Sequence, residues 1–159
     1  MDPITLIGAI STVLNITDQI SNQLDRFKND EPEPEEEPPH SIIATRERPD
    51  TIIVRRYGDE VERITSDDLA KLDRSSQGLI KAFEESMDRH YQLWITVYPK
   101  RDQSPDPMVN AQVNQQLKET AKRMCSDLGH ILGYLDSLGK DLQDHYAHVR
   151  YVCSDLEEM

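Results

Sequence analysis

Apolar positions recur along this chain at alternating steps of three and four, in four separate runs. In the first, Leu6, Ile10, Val13, Thr17, Ile20, Leu24 and Phe27 form a heptad seam, which Ile4, Ile7, Leu14 and Ile16 widen into a broad stripe. The opposite face carries Thr5, Gly8, Thr12 and Asn15, and no charge occurs between Asp2 and Asp18. Such a helix needs cover on most sides. Burial in its own bundle is the expected resting state. Ile4, Leu6, Ile7, Ile10, Val13 and Leu14 are then the residues that a membrane surface or a partner groove would take up on release. Asp2 is placed to cap this helix, and Pro3 suits its first position, where a missing N–H costs nothing.

The second run, Leu69, Leu72, Ser76, Leu79, Phe83, Met87, His90 or Tyr91, Trp94 and Val97, follows a cap at Thr65 or Ser66 and ends at Tyr98-Pro99. It predicts one helix roughly 45–50 Å long. The third, Val113, Leu117, Thr120 or Ala121, Met124, Leu128, Ile131, Leu135 and Leu138, starts from Asp106-Pro107 as cap and first position. Beside it Cys125, Gly129 and Gly133 stack at intervals of four, a spacing that lets a neighbouring helix approach closely. The fourth run is Leu142, Tyr146, Val149, Cys153 and Leu156. It either continues the third helix or returns beside it. Gly139 as a left-handed C-cap and Asp141 with Asp144 as a new start favour return. Reversal would bring Cys125 and Cys153 level, whereas a continuous helix would hold them ~42 Å apart.

Between the first two runs the period changes. Residues 29–39 hold six acids and four prolines, and residues 29–40 read as an extended, solvated, disordered linker, because proline removes backbone donors and the acids repel. Residues 41–65 form the β-like insert. Ile52–Tyr57 and Glu60–Ile64 predict a hairpin around Gly58-Asp59, with Arg55 opposite Glu62 and Ile53 opposite Ile64. Ser41–Arg46 is a candidate third strand, joined through the turn at Arg48-Pro49-Asp50. The fold class expected for residues 1–159 is therefore mainly α. It is a single-domain, up-down helical bundle of three to four long, coiled-coil-like helices with a small β-hairpin insert.

Charge removes some functions. A formal net charge of −12 without a dominant basic cluster speaks against nucleic acid as a partner. Two cysteines are too few for a disulfide scaffold, and a reducing, cytoplasmic compartment is the default. The first helix has no basic residue before it to make a signal peptide. Polar residues interrupt it too often for a membrane span, which leaves peripheral membrane contact as the membrane option. No cofactor is expected. Cys125, His130, His148 and Cys153 lie symmetrically about Gly139, but each Cys–His step of five residues turns the pair roughly 140° apart on a helix, the wrong spacing for zinc. Asp141, Asp144, His145 and His148 are better spaced and read as solvated residues near a helix start.

Two resemblances give functional expectations. Met1-Asp-Pro-Ile-Thr-Leu-Ile-Gly-Ala-Ile-Ser-Thr-Val-Leu-Asn-Ile resembles the opening of HeLo-type and related N-terminal domains of fungal NOD-like receptors. That resemblance, over about residues 1–25, implies a helical cell-death or signalling module whose first helix can engage membranes. Its partners would be another protein, a second copy, or a membrane surface. The acidic linker and hairpin depart from that family's usual bundle. Arg123 and His130, six residues between them, resemble the loosest form of the Arg-x(4–6)-His pattern of HEPN ribonucleases, which implies metal-independent RNA cleavage as the enzymatic alternative. The leading expectation is a non-enzymatic interaction or signalling module.

Overall fold

The computed structural model describes residues 2–36 and 40–158. Helices dominate, and strands are confined, among the described residues, to one small antiparallel sheet. Helix α1 spans Pro3–Lys28, with Asp2 accepting from the Ile4 N–H at 3.0 Å as its N-cap. Strands β1 (Ile42–Arg48), β2 (Thr51–Arg56) and β3 (Asp59–Thr65) follow in spatial order β1-β2-β3. Then come α2 (Ser66–Ala70), α3 (Arg74–Val97), a single 3-10 turn at Tyr98–Lys100, α4 (Pro107–Ser137) and α5 (Ala147–Glu158).

Helix α1 is the hub. It contacts α2, α3, α4 and α5 and the strands β1 and β2. Its stripe meets Ile80, Met87 and Trp94 of α3, Met124 and Leu128 of α4, Val149 and Leu156 of α5, and Ala44, Ile52 and Val54 of the sheet in one continuous buried cluster. Trp94 is fully buried, donates to Gln23 Oε1 at 2.8 Å, and meets Phe27 edge-on with ring centroids 5.7 Å apart. This aromatic junction fixes the C-terminal half of α1 against α3. The N-terminal half lies against the sheet, whose inward residues Ile52, Val54 and Ile64 have no exposure.

Three local expectations need correction. The second run is two helices. Thr65 caps α2 in a reciprocal capping box with Asp68, the chain breaks at Lys71–Asp73, and the Asp73 carboxylate caps α3 by accepting from the Ser76 N–H at 2.7 Å. Past the break the buried face shifts. Gln77 and Ile80 turn inward and Leu79 is exposed. The hairpin turn falls one residue earlier than predicted. Tyr57 (φ 51°) and Gly58 (φ 87°) are both left-handed, as a primed two-residue turn demands. The register becomes Ile53 opposite Arg63 and Val54 opposite Glu62, with a bulge before Arg55. Arg55 therefore pairs with Glu47 of β1 and leaves Glu62 facing Lys140 across 3.7 Å. With β1 added, the predicted hairpin is a three-stranded sheet.

The chain reverses at Gly139. Its φ of 80° sets a left-handed cap, with Gly139 N–H donating to Asp136 O and Lys140 N–H donating to Leu135 O, both at 2.9 Å. Helix α5 starts later than Asp141–Asp144 suggested, at Ala147, after a turn in which Asp141 accepts from the Gln143 N–H. Cys125 and Cys153 come level, 5.6 Å apart at Cα, and are joined by a disulfide. Two cysteines were enough for a cross-link that closes the loop of the reversal, so the expectation of reduced thiols does not hold for this structure.

Of the acidic linker, residues 29–36 are exposed but anchored. Glu33 pairs with Arg26 at 3.2 Å and the Glu31 carbonyl accepts from Arg101. The disorder expected for residues 37–39 lies outside the described residues.

Candidate functional site

The six residues singled out on α1 divide sharply. Leu6, Ile7, Ile10, Val13 and Leu14 are 0% exposed, whereas Ile4 is 44% exposed. Burying each such aliphatic side chain contributes roughly 1.5–3 kcal/mol, so in this conformation the stripe is committed to the protein's own core. Among the described residues no helix is long and apolar enough to cross a membrane.

One acid of α1 lies inside that core. Asp18 is 8% exposed and sits where three elements meet. Its Oδ2 accepts the Ala44 N–H of β1 at 2.8 Å, and its Oδ1 accepts the Tyr146 hydroxyl at 3.3 Å. β1 is an edge strand, so the Asp18 carboxylate satisfies an edge donor that would otherwise face apolar surroundings or recruit another strand. Burial pushes Asp18 up to about 7, against the opposing pull of the Ala44 N–H and the Tyr146 hydroxyl. Burial also drives the Tyr146 hydroxyl well above its ordinary range, and the neighbouring carboxylate adds to it.

Asp18 lines a cleft of about 110 Å³ between α1, the start of β1 and the start of α5, with His40, His145 and His148 around it. His145 Nδ1 is buried without a hydrogen-bond partner, and His148 Nε2 lies 3.4 Å from Asp25 Oδ1. No group of three His, Cys, Asp or Glu side chains among the described residues is arranged to hold a metal ion. The cleft gathers proton-binding groups around the seam where α5 and β1 cover α1.

The other sequence-selected residues lie elsewhere. Cys125 is taken up by its bond to Cys153. A Cβ on Gly129 would come within 2.6 Å of Arg150 Nη1, so this glycine makes room for a side chain of α5, while Gly133 has open space above it. Arg123 and His130 are both exposed on α4, and His130 stacks on Phe83 with centroids 4.4 Å apart. Between them Asp127 is buried and accepts from Ser86 Oγ at 2.8 Å. Burial raises it, opposed first by the Ser86 hydroxyl and then by the nearby His90, His130 and Arg89.

Asp18 was missed because an acid that ends a charge-free run reads as the point where the helix meets solvent. The available signal was its position one turn after Leu14 in a stripe that continues to Ile20 and Leu24. An acid on such a face needs a partner. No protein-family model, curated protein or solved structure matches the chain.

Proposed function

We propose that this chain is a non-enzymatic interaction module of the up-down helical-bundle type, in the manner of signalling or defence bundles. Its first helix would be the element that engages a membrane surface, a protein partner or a second copy when uncovered. The supporting observation is the placement of Asp18. A helix whose apolar face is sealed apart from Ile4 carries one buried acid at the seam where β1 and the turn into α5 close over it. That seam is held by two bonds to one carboxylate and by the Cys125–Cys153 link between α4 and α5. Removing either loosens cover over α1 without touching the α1–α3 junction at Trp94. A disulfide persists in oxidising surroundings, so a cytoplasmic location is not carried into this reading.

The test is co-sedimentation with phosphatidylcholine vesicles, run beside size-exclusion chromatography, for oxidised and reduced protein of equal helix content by circular dichroism. Reduced chain is expected in the pellet or in a larger species, and oxidised chain in neither. If reduction changes neither readout, the reading fails.

A HEPN-like ribonuclease is retained as a second reading because His130 is within electrostatic reach of the buried Asp127 on the face that also carries Arg123. It predicts RNA cleavage without added metal that disappears in His130→Ala. Cleavage unchanged in that variant, or none in the parent chain, removes it.

A further inference from the structure

The end of α1 and the turn between α3 and α4 enclose a cleft of about 500 Å³ whose acids and bases come from different segments. The acids Asp30, Glu31 and Glu33 belong to the strap of linker that leaves α1. The opposing wall is made by Gln23, Tyr98, Arg101 and Gln103, with Arg26 behind it. The way α1 ends aims the strap there. Asp30 takes a left-handed φ of 55°, its N–H donates to Phe27 O at 3.3 Å, and Glu31 N–H donates to Arg26 O at 2.8 Å. Asparagine and aspartate tolerate that conformation better than other non-glycine residues. The chain thus folds back over its own last turn, placing Glu33 on Arg26 at 3.2 Å and the Glu31 carbonyl on Arg101.

The wall has donors that the strap does not use. Tyr98 is 5% exposed, and its hydroxyl lies beside Glu33 and Arg26 without reaching hydrogen-bond geometry to any group. Arg101 Nη1 is likewise buried and unbonded, while the guanidinium carbon sits 5.2 Å from the Tyr98 ring centroid. A buried donor left unbonded is costly, and two in one cleft, beside a carboxylate that already binds there, describe a socket only partly filled.

We propose that this cleft is a binding site for an acidic, proline-spaced extended peptide segment of a partner protein, and that the chain's own strap, through Glu31 and Glu33, is its resident competitor. The strap is the built-in ligand mimic. It carries Pro32 and Pro34 around Glu33, and Pro32 lines the cleft with Tyr98 and Pro99. With the strap lifted, the wall presents Arg101, and its neighbouring acid Asp102 is engaged by Asn114 Nδ2 at 3.2 Å. A tethered competitor acts at high effective concentration, so weakening it should raise apparent affinity for free peptide without any new contact. This site does not rest on the proposed release of α1, since Gln23 belongs to α1 in its covered position.

The experiment uses a fluorescent synthetic peptide of residues 29–40 and the full chain, read by anisotropy. Glu33→Ala is expected to bind the peptide about tenfold more tightly than the parent chain, consistent with removal of one charge-assisted pair. Adding Arg101→Met to Glu33→Ala keeps an apolar stem over Tyr98 and is expected to abolish the binding. Glu33 is half exposed, so its replacement leaves the core intact. Equal affinity of parent and Glu33→Ala chains, or binding that survives Arg101→Met, overturns the proposal.

Discussion

Asp18→Asn is expected to stabilise the protein at pH 8 by up to ~4 kcal/mol and to leave it nearly unchanged at pH 4. The direction follows from which state holds the proton. In the folded chain Asp18 keeps its proton up to about pH 7, whereas in the unfolded chain it releases it near the ordinary 3.8. Between those values the folded state binds the extra proton, so unfolding becomes easier as pH rises. The stability this group contributes is fully present below pH 3.8 and lost as pH climbs through 7. Across that interval, at ~1.4 kcal/mol per pH unit, the change integrates to ~4 kcal/mol. Asparagine reproduces the neutral acid. Its carbonyl can accept the Ala44 N–H, and its amide can donate to the Tyr146 oxygen once the hydroxyl turns. Urea denaturation at pH 4, 6 and 8 with the disulfide intact measures the difference. His40, His145, His148, Asp25 and Tyr146, which surround or adjoin the cleft, are present in both chains, so the difference reports Asp18 together with its coupling to them. Parallel pH profiles for the two proteins would remove the buried-acid account.

The same residue shows where sequence reasoning reaches its limit. The apolar stripe of α1, the caps at Asp2, Thr65 and Asp106, and the left-handed stop at Gly139 were legible because each rests on local chemistry: side-chain period, a carboxylate or hydroxyl near free N–H groups, a residue without Cβ. The hairpin register was not, because it hung on whether Tyr57 or Asp59 would share the turn with Gly58. A tyrosine at φ 51° is an unusual choice made acceptable by the strand pairing on both sides. The break between α2 and α3 was hidden because Leu69, Leu72 and Ser76 keep the heptad across it. Only the cap at Asp73 marks it. The Asp18 cleft and the strap cleft both depend on residues more than 65 positions apart, Tyr146 with Asp18 and Arg101 with Glu31. No local pattern encodes such meetings.

Long-range closure also sets the second large effect. Cys153→Ser is expected to destabilise the chain by roughly 3.5 kcal/mol, the chain-entropy value for cross-linking residues separated by 28 positions. Cys125→Ser should match it, and the double variant should cost no more than either single change, because the three chains lack the same bond. A loss confined to packing would instead differ between the two sites and sum in the double variant. Both cysteines are buried, so their effects are read most clearly by denaturation of purified variants. Where the loss falls is as informative as its size. α5 is tied to α1 through the Lys28–Asp155 pair at 2.6 Å and through Tyr146, whereas the α1–α3 junction at Trp94 lies outside the closed loop. Hydrogen exchange in Cys153→Ser should therefore rise first in α5 and in the face of α1 near Asp18, Thr17 and Leu14. Protection around Gln23 and Trp94 should persist to higher denaturant. Uniform loss of protection would mean that cover over α1 cannot open without global unfolding, and the interaction reading would lose its physical route.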